Sequence, residues 1–422
     1  MLKLRRLSFI LSFSVPLALS FPAAFASSLP TPVRPQPLQQ MPQGAVQQTQ
    51  QAQQASPSAP LPLVNKQIFT VPSYKTVGGQ EIRDVRVGYE TYGKLNEAGD
   101  NAIFVAHFYS GTSHAAGKYK ESDAAPGYWD SIIGPGKAID TRKYFVFSSD
   151  TLVNINANAP NVVTTGPASI NPDTGKPYGM SFPVVSFKDF VNVQKALVDS
   201  LGIRRLRAVV GASGGGFQAY EWAASYPNRV ERIVPVISTP RADPYLIGWL
   251  DAWAQPIRLD PKWNGGDYYD KEPPLEGLKA ALKLVTLHAF QSEWAAKTFG
   301  SEPAEAGKDP GKAMDNHFKI ESGLETVAAA RAKTADANHF LYMVKTNQLA
   351  SADPAKIKMP VLMLYSPTDL VFQEQQVAAA AGELAAAGST IETGKLIGPY
   401  GHNNGVFAIS QAADQIRAFI DK

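Results

Sequence analysis

A serine hydroxyl becomes a useful nucleophile only where a base takes its proton and the backbone presents it clear of its neighbours. Ser213 stands in such a setting. It lies in Val209-Val210-Gly211-Ala212-Ser213-Gly214-Gly215-Gly216, a GxSxG match with a β-rich run before it and the helix-like Phe217-Gln218-Ala219-Tyr220-Glu221-Trp222-Ala223 after it. Glycines are required around a serine held in a tight strand-to-helix turn, because side chains there would clash, and the helix N-terminus beneath favours developing negative charge. A glycine-rich turn without chemistry would look the same locally, so the partners further along the chain decide.

In this arrangement the chain order is serine, acid, histidine, with the acid after a late strand and the histidine before the last helix. Of the six histidines, His402 in Gly401-His402-Asn403-Asn404-Gly405 precedes the helix-like run from Val406 to Ile420 and fits that place. Asp369 ends the turn Ser366-Pro367-Thr368-Asp369 that leaves the apolar run Val361-Leu362-Met363-Leu364-Tyr365. An Asp in a turn also suits a helix cap, but its order and spacing before His402 favour orienting the histidine. His288, His317 and His339 read as surface or packing residues. An oxyanion formed on acyl transfer needs two donors. These are assigned to the backbone N–H groups of Gly214 and of Tyr109, the latter in the loop from His107 to His114, whose own histidines read as holding the loop. The expected chemistry is attack on an acyl carbonyl through an acyl-enzyme. The chain has neither HExxH nor a GxGxxG after a strand and carries no cysteine, so no metal, dinucleotide or other cofactor is expected, and thiolate catalysis and disulfides are excluded.

These residues need a scaffold that brings loops from distant strands to one edge. Short β-rich runs at Ile103–Ala106, Tyr144–Phe147, Arg207–Val210, Ile233–Ile237 and Val361–Tyr365 alternate with longer stretches of helical spacing, as in a mostly parallel sheet covered on both faces. Ahead of them, Ile68–Val71 and Val85–Tyr89 read as an antiparallel pair joined through Gly78-Gly79. The fold class is therefore α/β, with its core over residues 67–238 and 351–422. The interval 239–350 lacks a convincing buried strand but contains helix-like segments at 275–287 and 324–332, and reads as an inserted helical cap.

The first 26 residues carry a basic start, an apolar run and Ala24-Phe25-Ala26, the pattern of an export signal. Residues 27–66, rich in Pro, Gln, Ser and Ala, read as a disordered tether. Removal of Lys3, Arg5 and Arg6 with the signal leaves 37 basic against 37 acidic residues. That balance gives no electrostatic reason to expect nucleic acid, and the apolar run is too short for stable membrane insertion. The expected partner is a small-molecule ester or acyl compound, and the expected location periplasmic or secreted.

From Val87 to the C-terminus the chain resembles the homoserine O-acetyltransferases of the α/β-hydrolase superfamily. The resemblance rests on His107 through Gly117, Gly127-Tyr128-Trp129-Asp130, the segments 134–141, 166–172 and 174–179, Asp260-Pro261-Lys262-Trp263-Asn264-Gly265-Gly266-Asp267-Tyr268-Tyr269, and Asp336-Ala337-Asn338. It places Ser213, Asp369 and His402 on the family's triad, places Tyr109 and Gly214 on its oxyanion hole, and implies a homodimer. Three positions depart from the pattern. Asn403 stands where the family has Asp, Trp253-Ala254-Gln255-Pro256 replaces a segment that carries Arg, with Arg258 in another register, and Thr112 replaces an acidic residue. With Asn403 taken as a substrate contact, these neutral replacements and the export signal favour hydrolysis of carboxylic esters by an exported enzyme. The alternatives are acyl transfer of the homoserine O-acetyltransferase type, or a binding protein without turnover.

Overall fold

The computed structural model describes residues 63–422. The expected export signal and the tether up to residue 62 lie outside these residues. The tether's last four residues depart from expectation. Val64 is buried and bonds through its N–H to the Lys118 carbonyl at 2.8 Å, and the Lys66 ammonium lies 2.9 Å from the Glu90 carboxylate and 3.4 Å from that of Asp150. One apolar side chain and one cation with two buried acidic partners order a stretch whose composition suggested none.

Eight strands form the main sheet: β1 (Gln67–Lys75), β2 (Glu81–Tyr92), β3 (Ala102–Ala106), β4 (Phe145–Ser149), β5 (Leu206–Ala212), β6 (Ile233–Val236), β7 (Val361–Tyr365) and β8 (Ile391–Lys395). Their spatial order is β1-β2-β4-β3-β5-β6-β7-β8, antiparallel at β1/β2 and β2/β4 and parallel from β4 to β8. The parallel strands are continuous apolar runs because both faces are covered. Phe104, Val209 and Val361 pack in one core with helices α1 (Phe187–Ser200) and α2 (Gly214–Ser225), while Ile103, Val105, Val210 and Leu362 pack in the other with Trp129 and with Ile416 and Phe419 of the C-terminal helix. β8 was not legible as a strand: Ile-Glu-Thr-Gly-Lys at the sheet edge buries little and has no apolar run.

Between β6 and β7 lie five helices, α3 (Pro244–Leu259), α4 (Leu275–Ala289), α5 (Ser292–Thr298), α6 (Lys319–Ala332) and α7 (Ala337–Gln348), and no strand of the main sheet among the described residues. Asp243 caps α3 by accepting the Leu246 N–H at 2.8 Å, with Pro244 at the first helical position. α7 is buried on nearly every side, so its sequence shows no amphipathic period. No described helix is long and apolar enough to cross a membrane.

Candidate active site

The ladder between β5 and β6 runs up to the candidate nucleophile itself, since the Ser213 N–H donates to the Val236 carbonyl at 2.9 Å. The chain then reverses at once into α2. Ser213 adopts φ 54° and ψ −115°, a strained conformation for a residue with a side chain. The reversal is possible only without side chains on either flank: a Cβ on Gly211 would overlap the Gly215 carbonyl, and one on Gly215 would overlap the carbonyl of Ala106 at the end of β3.

Asp369 is fixed by the turn that leaves β7. Its Oδ1 accepts the N–H groups of Val371 at 2.7 Å and Phe372 at 3.0 Å, and Oδ2 lies 2.8 Å from Nδ1 of His402. With one carboxylate oxygen held by backbone donors and the other facing the imidazole, Nδ1 carries the proton and Nε2 is left as the acceptor. Asn404 anchors the histidine loop, bonding Ser366 Oγ and the Gly398 carbonyl at 3.0 Å each, and Trp129 holds Gly405 through its indole N–H at 3.1 Å.

The two expected oxyanion donors are neighbours. A Cβ built on Gly214 would lie 3.4 Å from the Tyr109 backbone nitrogen, and neither N–H has a hydrogen-bond acceptor among the described residues. Residues that sequence reasoning passed over hold the Tyr109 loop. Asn154 bonds the Gly111 carbonyl at 3.0 Å, Asn156 the Ser110 carbonyl at 3.1 Å, and Gln218 of α2 the His107 carbonyl at 3.1 Å. A buried Asn or Gln gives no sequence signal of its own; only the fold shows what it holds.

His107 bonds the Phe108 carbonyl at 2.8 Å through Nδ1 and faces Asn154 with Nε2, and burial pushes its pKa down. His114 pairs with Glu90 at 3.0 Å and stacks on Tyr119. His339 is buried between the Asn154 carbonyl and the Ala168 N–H. His288 stacks on Trp249, donates to the Leu370 carbonyl at 3.1 Å, and is pushed down to about 4 by burial. His317 is exposed beside Glu321. Of the six histidines, His402 alone lines the cavity that contains Ser213.

That cavity measures about 70 Å³, which at ~10–15 Å³ per water leaves room for a small acyl group and little else. Ser213, Tyr109, His402 and Asn403 line its core side; Leu246, Leu250 and Trp253 of α3 and Val285 of α4 line the other. Of the departures noted in the sequence, only Asn403 and Trp253 reach it. Thr112 bonds its own loop at His114, and Arg258 pairs with Asp251 near the surface. Asn403 does not cap the following helix with its side chain; it donates to the Ala289 carbonyl of α4 at 3.2 Å.

A family model described as the alpha/beta hydrolase fold matches residues 159–408. The chain is 41% identical over 272 residues to a homoserine O-acetyltransferase of Methanococcoides burtonii, a match covering 64% of this chain and 54% of that relative, so it spans about half that relative's length. Among solved structures it resembles a homoserine O-acetyltransferase from Bacillus anthracis, at 34% identity and a TM-score of 0.82 over 86% of this chain and 99% of that one. It also resembles esterase E22, at 46% identity and a TM-score of 0.81 over 85% of this chain and 100% of that one. The relatives establish an enzyme, an O-acyltransferase or hydrolase, and correct the sequence-based preference for an exported ester hydrolase in favour of acyl transfer. That preference counted three neutral replacements around one pocket, and of these Thr112 does not line it.

Proposed function

The chain belongs to the homoserine O-acetyltransferase family of the α/β-hydrolase fold, and from that premise we propose that it transfers a short acyl group from a thioester to the hydroxyl of a small acceptor. Ser213 Oγ attacks the thioester carbonyl while Nε2 of His402 takes its proton. The tetrahedral oxyanion is met by the N–H groups of Tyr109 and Gly214, the carbon–sulfur bond breaks, and the proton passes from His402 to the departing thiolate. The acceptor hydroxyl then gives its proton to His402 as its oxygen attacks the acyl-enzyme, and collapse returns that proton to Ser213 as the new ester leaves. Asp369 keeps the imidazole in one tautomer throughout both halves.

One observation carries this reading: Ser213, Tyr109 and His402 line a single small cavity, with Gly214 beside the Tyr109 N–H, in a chain so similar to acetyltransferases. The size of the cavity favours acetyl over long acyl chains. Thiol release from acetyl-coenzyme A is measured with and without homoserine. Release that rises at least tenfold with homoserine, together with O-acetylhomoserine as product, is expected. Release at the same rate without acceptor would overturn transfer.

A further inference from the structure

Arg331, in the last turn of α6, is half-buried without a counter-charge. The other half-buried or buried arginines among the described residues each have a carboxylate close by: Arg207 at 2.6 Å and Arg232 at 3.9 Å from Glu231, Arg229 at 2.9 Å from Asp199, and Arg417 at 3.3 Å from Asp414. No described Asp or Glu lies within 4.0 Å of Arg331. Its one side-chain bond runs from Nη1 to Thr286 Oγ1 at 3.1 Å. A half-buried cation gains more from a counter-charge than an exposed one, so Arg331 is free to meet an anion from outside the chain.

The surroundings point to the reacting cavity. Thr286 follows Val285 on α4, and Val285 lines the cavity. Tyr109 lines it as well, and Arg331 and the Tyr109 phenol are close enough to act on each other electrostatically; burial pushes the guanidinium pKa down, and the phenol opposes this. Edge-on to the Tyr109 ring, with centroids 5.6 Å apart, sits Trp253, a third lining residue, whose buried indole N–H has no acceptor among the described residues. A guanidinium with one hydroxyl acceptor and no counter-charge, and an indole N–H with no acceptor among the described residues, thus both lie near one wall residue. A carboxylate has two oxygens and can accept from both.

The geometry points to Arg331 as a specificity-determining residue that recognises a carboxylate on a substrate of the Ser213 cavity, with Trp253 as a second donor. This rests on the acyl-transfer reading. The carboxylate has two possible sources, the acceptor, as in a hydroxy amino acid, or the acyl group, as in a dicarboxylic half-thioester. In either case Arg331 supplies a positive charge from α6, whereas the α3 segment Trp253–Pro256 supplies none.

The test crosses two donors, acetyl- and succinyl-coenzyme A, with two acceptors, homoserine and homoserinol, in the wild type, Arg331→Gln and Arg331→Lys. Exchanging a charge-assisted bond for a neutral one changes affinity by about tenfold. Arg331→Gln should therefore raise KM about tenfold for the substrate that carries the recognised carboxylate and leave its uncharged counterpart within about twofold, with Arg331→Lys in between. A rise confined to homoserine assigns the carboxylate to the acceptor; one confined to the succinyl donor assigns it to the acyl group. A second readout needs no transfer: homoserine or succinate should slow fluorophosphonate labelling of Ser213 in the wild type and not in Arg331→Gln. Protection without transfer to either acceptor would overturn the acyl-transfer reading and leave Arg331 as a carboxylate receptor. Equal loss in all four combinations, no loss in any, or no difference in protection would overturn the inference. Should Arg331→Gln fail to fold, Thr286→Val keeps the cation and frees it from its one tether. A smaller KM rise in the same arm is then expected, and an unchanged KM in every arm counts against the proposal.

Discussion

On the core side of the cavity the candidate reacting groups are set by the backbone. Ser213 is held in the sheet ladder at a strained φ, Asp369 by two main-chain N–H groups, and the expected oxyanion donors are main-chain groups themselves. On the cap side the wall is made of side chains, Leu246, Leu250, Trp253 and Val285, projecting from helices that pack against one another. The first half is fixed by chain geometry, which few substitutions leave intact. The second can change one residue at a time, which is where substrate preference can diverge while the chemistry stays.

The largest effects should fall on the core side. Ser213→Ala should lower kcat on the order of 10⁶-fold, and Asp369→Asn about 10⁴-fold. In the latter the amide oxygen takes the place facing Val371 and Phe372, so the NH₂ faces His402 and forces the tautomer whose Nε2 is protonated and cannot take the serine proton. Steady-state kinetics with unchanged circular dichroism would check both, and a loss under tenfold for either would break the contrast between the two sides.

Next comes a matched pair. Gly215→Ala drives a methyl into the Ala106 carbonyl and should displace the turn, costing roughly 10²-fold in kcat and about 1–3 kcal/mol of stability. Leu250→Ala should cost about 2–5 kcal/mol of stability yet less than tenfold in kcat. If the cap variant lost more kcat than the core variant, the division of labour would be wrong. Kinetics and urea unfolding on the same preparations supply both quantities.

A smaller effect concerns acid. His288 is neutral in the folded protein, with its pKa pushed from 6.5 to about 4 by burial, so the unfolded chain binds the extra proton between those values. The stability it contributes is present above about pH 6.5 and drains away as pH falls towards 4, by at most about 1.4 kcal/mol per unit. His288→Gln, which retains a donor for the Leu370 carbonyl, should flatten the fall in urea midpoint over that window. An unchanged slope would mean that acid sensitivity resides outside the cap.

The smallest expected change is at the seam between the two halves. Asn403→Asp removes the donor to the Ala289 carbonyl, costing about 0.5–1.5 kcal/mol, and brings a negative charge to the cavity. A KM for amine-bearing acceptors lowered up to about tenfold, with fluorophosphonate labelling of Ser213 unaffected, is the expected pattern. No discrimination between amine-bearing and neutral acceptors would show that this seam does not select substrates.

The division between the halves also explains what could be read from the chain. The turn at Ser213 was legible because its glycines are adjacent in sequence, and Asp369 and His402 because chain order constrains them. Asn154, Gln218 and Arg331 were not, since each acts on a partner far away in sequence, as Gln218 does on His107 across 111 positions. α3 and α7 were not read as helices: α7 buries almost every side chain and shows no period, and β8 at the sheet edge buries too little to show an apolar run.

Lys66 gives the beginning of the described residues a meaning that a strand diagram hides. Its one ammonium serves two acids that solvent does not reach. Asp150 also accepts the N–H groups of Ser113 and Val163, and Glu90 also binds His114 and the Tyr119 hydroxyl. Burial pushes the Glu90 carboxyl up, yet His114 and Lys66 hold it below its ordinary value. A chain trimmed to start at Gln67, where the first strand starts, would keep every strand and lose that cation. Two enclosed negative charges would then sit beneath the loop that carries Tyr109, so the place where the protein can safely be cut is set by charge compensation rather than by the edge of the sheet.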